Sequence, residues 1–144
     1  MNLIDTFDCQ MLMNLLKNHG FDLIKDLKRT GLRKSGYARL IQDVTDDVSN
    51  NNFGDRLIQS DAIDDLAVYK ARYKDTERGE GKRGGYRVIL VVGIGDIAFI
   101  AHIYHKHAGK HSKPDLTDDD RKNLRKLVQE IEAGILSSLE NDLE

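Results

Sequence analysis

A chain of 144 residues, with 40% hydrophobic and 32% charged side chains, has room for one folded domain with a single core and is too short for two. Its longest apolar stretch, Val88 to Ala101, is broken by Gly93, Gly95 and Asp96 and cannot span a bilayer, while Asp5 and Asp8 interrupt the run that a secretory leader would need. The net charge of −2 hides an uneven spread, because residues 70–113 carry +6 while residues 1–69 carry −3 and residues 114–144 carry −5.

In chain order, Phe7, Met11, Leu12, Leu15 and Leu16 recur at helical spacing, and Gly20 supplies a natural stop. Cys9 falls in this pattern as apolar filler, and a lone cysteine with no partner fits a cytoplasmic location. A second short helix is expected from Phe21 to about Arg29. A third carries Tyr37, Leu40, Ile41, Val44 and Val48 and ends at the Ser49–Asn52 turn cluster. The period then changes. Leu66 to Tyr73 alternates as a strand with two distinct faces, and Val88–Val92 is a continuous aliphatic run suited to a central, doubly buried strand. Gly93–Asp96 turns the chain into a returning strand, Ile97–Tyr104, so three strands in sequence form an antiparallel meander. After Pro114, Thr117 caps a helix whose first turn holds three aspartates. Leu124, Leu127, Val128, Ile131, Ile135, Leu136 and Leu139 form a stripe expected to pack on the sheet.

Positive charge and histidine gather on this meander. Lys70 and Arg72 share one strand face, Arg87 opens the next strand, and Lys106 and His107 close the third. Gly79–Gly84 formally reads G-x-G-x-x-G, but it lies between two strands rather than opening a helix. It is therefore read as a basic glycine-rich loop, with Lys82 and Arg83 tracking phosphates beside Tyr86. His105 and His107 share a face, but a zinc site needs further ligands, no cysteine is near, and no carboxylate stands at a recognisable spacing. No metal and no cofactor are expected. The histidines are then either exposed loop residues or proton-transfer groups, since imidazole titrates near neutrality. RNA cleavage requires a base for the 2′-OH, positive charge on the equatorial phosphate oxygens and an acid for the leaving 5′-oxygen. The residues taken alone support a nuclease or a nucleic-acid binder, with a solvated charged face as the plainer alternative.

The segments Asn52–Ile58, Leu66–Arg72, Gly81–Ile89, Ile103–Lys106 and Asp115–Thr117, in that order, resemble the RelE/ParE toxin superfamily, and within it the HigB-like mRNA interferase toxins. The similarity covers roughly residues 35–130. It implies an α+β, microbial-ribonuclease-like fold, a twisted antiparallel β-sheet packed on N-terminal and C-terminal helices. Residues 1–33 would be a helical N-terminal extension and residues 34–142 the RelE-like toxin domain. The resemblance also implies the toxin of a type II toxin–antitoxin system, cleaving mRNA on the ribosome without metal through 2′-OH attack. Its partners would be a cognate antitoxin, mRNA and the ribosome, with no membrane. By position, Lys70 and Arg72 match the basic pair of the family, Arg87 the arginine that stabilises the phosphate, and His105 the general acid. His107 falls where RelE-type members carry an arginine. Two alternatives stay open: a ParE-like gyrase-poisoning module and a catalytically inactive relative.

Overall fold

In a computed structural model, which describes residues 1–76, 79, 81, 85–106 and 115–143, the chain opens with a short strand, β1 (Asn2–Ile4). A 3-10 turn (Thr6–Asp8) follows, and then three helices, α1 (Gln10–Asn18), α2 (Leu23–Thr30) and α3 (Lys34–Ser49). Local chemistry sets their ends. Asp22 caps α2 by accepting from the Ile24 and Lys25 amides, and Gly31 ends it at a φ of 70°, in the left-handed region where glycine is least strained. Four strands come next: β2 (Asp55–Gln59), β3 (Ala67–Tyr73), β4 (Tyr86–Ile94) and β5 (Ile97–His105). The last element, α4 (Asp118–Leu143), starts in a reciprocal capping box. The Thr117 hydroxyl accepts from the Asp120 amide at 3.0 Å, while the Asp120 carboxylate accepts from the Thr117 amide at 3.0 Å.

The strands form one five-stranded sheet in the order β1-β5-β4-β3-β2. From β2 to β5 it is an antiparallel meander, which adds β2 to the three strands expected, and β1 lies beyond β5 at the other edge. The expectation of a wholly antiparallel sheet is corrected by β1, which pairs parallel with β5 from Asn2↔Ile97 to Ile4↔Phe99. The fold class is therefore α+β with a mixed sheet. A three-residue strand is too short to show alternation, and its partner lies far along the sequence, so nothing local announces it. Residues 1–33 are woven into the same unit as the rest: β1 joins the sheet, and Leu12, Leu16 and Phe21 sit in its core.

Both faces of the sheet are covered by helix. One face packs Val68, Ile89, Val91 and Phe99 against α1 and against Leu124, Leu127, Val128 and Ile131 of α4. The other packs Val88, Leu90, Val92 and Ile100 against Leu23 of α2 and Leu40, Val44 and Val48 of α3. This double cover is why β4 reads as an unbroken apolar run: eight of its nine residues are buried. The apolar stripe on α4 outruns its support. Leu136 and Leu139 are 42% and 52% exposed, because a 26-residue helix is about 39 Å long whereas a nine-residue strand spans about 30 Å.

Beyond the short β1, the outer edge of β5 is closed by side chains rather than by another strand. The Thr6 hydroxyl donates to the Ile100 carbonyl at 2.6 Å, and the Asp26 carboxylate of α2 accepts from the Ile103 amide at 3.0 Å. The Ile100 carbonyl and the Ile103 amide are thus satisfied by side chains, which blunts the edge as a template for another strand. Two irregularities in the β4–β5 pairing, between Ile89 and Leu90 and between Val92 and Ile94, reset which β5 residues share a face with β4. At the second of these, Gly93 adopts a φ of 103°, and a Cβ there would strike the Asp65 carbonyl.

Candidate functional site

Pairing across β3, β4 and β5 sets two rows of side chains on opposite faces at one end of the sheet. Arg72 pairs with Arg87, and Arg87 with Tyr104, so these three share a face. Lys70 lies two residues before Arg72 and joins the same face. One residue along, Tyr73 pairs with Tyr86, and Tyr86 with His105, which puts that row on the other face.

The Arg87 row is cationic and bordered by acids; Arg72 opens it to solvent, while Arg87 and Tyr104 are each 4% exposed. Arg72 donates to Asp55 at 2.7 Å, with side chains 46% and 59% exposed. Asp115, just before α4, collects three side chains: Lys70 Nζ at 3.5 Å, the Tyr104 hydroxyl at 3.5 Å and the Arg121 guanidinium at 3.2 Å. It also accepts from the Leu116 amide at 2.8 Å. Four cations, Lys70, Arg72, Arg87 and Arg121, thus surround two carboxylates. Arg87 is itself 4% exposed; burial lowers its pKa, and the neighbouring Arg72 charge lowers it further, while Tyr104 and Asp115 oppose them. Two guanidinium groups paired across adjacent strands repel each other, and an anion between them relieves that repulsion. The Tyr104 phenol is pushed up to about 12, first by burial and then by the Asp115 charge, so it remains a proton donor at neutral pH. Burial pushes the Asp115 carboxyl up, but the Leu116 amide, Lys70 and Arg121 outweigh it and hold it below its usual range.

The His105 row is closed. His105 Nε2 lies 2.8 Å from Asp75 Oδ2, and both side chains are 1% exposed. An ionised carboxylate only accepts, so the imidazole supplies the hydrogen in this pair. Tyr86 stands edge-on to the imidazole, with ring centroids 4.9 Å apart and an 82° interplanar angle. Tyr73 donates to Asp47 of α3 at 2.9 Å, and burial with that acid raises its pKa far above the ordinary range. A cleft of about 580 Å³ opens between this row and α3, bordered by Asp43, Asp46, Asp47 and Asp75 and by Arg39 and Lys74. Among the described residues acids outnumber bases there, where an RNA site would be basic.

The expected site is therefore divided. Lys70, Arg72 and Arg87 come together, whereas His105 and Tyr86 lie buried on the opposite face. The expectation that His105 faces Arg87 is corrected by register, because adjacent residues on a strand point to opposite faces and Tyr104 already occupies the Arg87 row. Lys106 is half-buried just past β5, its amide donating to the Gly85 carbonyl. Lys82, Arg83 and His107, expected to bind phosphate, lie outside the described residues. Tyr104, Asp115, Arg121 and Asp55 were missed as site residues. The first could have been found by pairing the strands residue by residue; the others converge only in three dimensions. Among the described residues, no group of three His, Cys, Asp or Glu side chains is placed to hold a metal ion, and no helix is long and apolar enough to cross a membrane. Comparison with protein-family models, with curated proteins and with solved structures found no match.

Proposed function

We propose that this protein is a metal-independent mRNA endoribonuclease of the RelE-like toxin type, acting with the ribosome and restrained by a cognate antitoxin. The observation that carries the reading is the row Arg72–Arg87–Tyr104, with Lys70 beside it: a concentration of positive charge next to a protonated phenol. In this reading Arg72 and Arg87 hold the equatorial oxygens of the scissile phosphate, and their mutual repulsion falls as negative charge builds in the transition state. Lys70 adds positive charge from the same face. Tyr104 takes the role that the resemblance gave to His105. A phenol near 12 is more acidic than water, whose pKa is about 15.7, so proton donation to a departing 5′-alkoxide runs downhill late in bond cleavage. Asp115 orients the phenol and tempers the positive field until RNA arrives. His105, held by Asp75 on the far face, supports the strand end that carries Arg87 and Tyr104.

The test is induced expression in a bacterial host with primer extension on cellular transcripts. Discrete cuts in frame with codons are the expected outcome, reduced in an Arg87→Gln variant. Intact transcripts accompanied by a DNA-damage response would replace this reading with the gyrase-poisoning one. Intact transcripts with no growth arrest would replace it with the inactive relative.

A further inference from the structure

We propose that the cleft along the outer edge of β5 is a second site, which binds the phosphate group of a small phosphorylated molecule over His102. The cleft holds about 380 Å³, within the usual range for small-ligand sites, and is bounded by α1, α2, β5 and the start of α4. None of its lining residues belongs to the Arg87 row, although the His102 ring lies 5.6 Å from that of Tyr104.

Two observations carry it. The first is an orphaned nitrogen. His102 lines the cleft with its side chain 9% exposed, and Nδ1 is 2.8 Å from Asp26 Oδ2. Asp26 also accepts from the Ile103 amide, so the carboxylate is locked by the sheet edge and fixes the imidazole in turn. Nε2 is buried and has no hydrogen-bond partner. Buried polar atoms are rarely left in this state, and such exceptions gather where a ligand or water completes the site. With Nδ1–H pledged to Asp26, the neutral ring offers Nε2 as an acceptor for a hydrogenphosphate O–H; the protonated ring offers it as a donor to a phosphate oxygen.

The second observation is an asymmetry of commitment among the charges. Three carboxylates line the cleft, and each is already engaged. Asp22 caps α2, Asp26 holds His102 and Ile103, and Asp120 completes the capping box of α4. Three cations also line it, Lys17, Lys25 and Arg29, all exposed, and none forms an ion pair among the described residues. Lys25 and Arg29 are four residues apart on α2, on the same helical face as Asp22 and Asp26, which brings both cations to one rim. These hydrogen bonds leave the carboxylates charged, so the lining is formally balanced; the groups without an ion-pair partner are the rim cations, and an anion is met there. Phosphate suits the cleft because one tetrahedral group can meet a rim cation and a floor imidazole together.

The experiment follows the imidazole ¹⁵N resonances of His102 in the full-length protein at constant pH and ionic strength. Inorganic phosphate, ribose 5-phosphate and adenosine monophosphate are titrated separately. A saturable movement of the His102 signals is expected with at least one of them. Equal affinities for all three define a bare phosphate site, whereas tighter binding of an ester shows that the cleft also takes the attached group. The Lys25→Gln/Arg29→Gln double variant alters two exposed side chains, leaves the melting temperature unchanged, and weakens binding by about tenfold or more. His102 signals that stay fixed with all three ligands, or that titrate identically in the double variant, would overturn the proposal.

Discussion

Two rows of side chains, one residue apart on the same three strands, meet opposite fates. Arg72, Arg87 and Tyr104 lie beside the start of α4, where Asp115 and Arg121 form a polar, partly solvated border. Tyr73, Tyr86 and His105 lie beneath α3, where Asp75 and His105 are sealed at 1% exposure. Both rows contain titratable groups of the kind used in catalysis, so residue type does not separate them. Nor does the burial of the central residues, since Arg87, Tyr104 and Tyr86 are each 4% exposed; the difference lies at the border, where Arg72, Asp55 and Asp115 meet solvent on one face while the Asp75–His105 pair is sealed at 1% on the other.

The severest challenge to this contrast is to remove one member of the sealed pair. His105→Ala leaves the Asp75 carboxylate without its ring partner and opens a cavity under Tyr86, and it is expected to lower stability by about 3–5 kcal/mol in urea unfolding. An unchanged unfolding midpoint would refute the structural role assigned to His105. On the open face the effects should reverse. Arg72→Gln is expected to cut RNA cleavage by about 10²–10³-fold. Since Arg72 and Asp55 are both well exposed, its stability should change by about 1 kcal/mol or less. Tyr104→Phe should cost cleavage about 10²-fold with little loss of stability, because it keeps the buried ring and its contact with His102 and removes only the hydroxyl. Parallel losses of activity and stability in these two variants would erase the distinction between the faces.

Alkali offers a gentler probe. Tyr37, Tyr73 and Tyr104 all have raised pKa values, so the fold favours the neutral phenol. Their contribution is complete below pH 10.0 and lost as pH rises: by about 12 for Tyr104, and higher for the two that donate to Asp5 and Asp47. Absorbance at the phenolate band should show Tyr104 ionising before Tyr73, and Tyr73→Phe should flatten the decline of stability that follows. The smallest effect is expected from Asp115→Asn. Its depressed pKa contributes stability above 3.8 that disappears in acid, so the variant should lose only this acid-limb dependence while binding RNA slightly more tightly at low salt.

Much of the open face is legible in the order of residues alone. Alternation places Lys70 and Arg72 together, and an antiparallel meander brings Arg87 alongside them. His105 misled because it follows Tyr104 in sequence, yet neighbours on a strand look opposite ways. Choosing between them required counting the register from the turn: Ile94↔Ile97 leads to Arg87↔Tyr104, because the two pairing irregularities between β4 and β5 cancel before the pairing reaches Arg87. The Asp26–His102 pair joins residues 76 positions apart and leaves no local trace.

The local grammar of this protein is written in its residue order: three N-terminal helices, a buried central strand, a capped C-terminal helix, and positive charge concentrated on the middle strands. Those features follow from periodicity, capping chemistry and composition, which act over a few residues. Tertiary contacts were needed to make the sheet mixed through β1, to bring Asp115 to Lys70 and Tyr104 at the Arg87 row, and to seal an edge with α2 around His102. Each of these joins distant segments of the chain. There a shift of one residue moves a side chain from solvent to core, and the balance is struck by packing across the sheet rather than by any local preference.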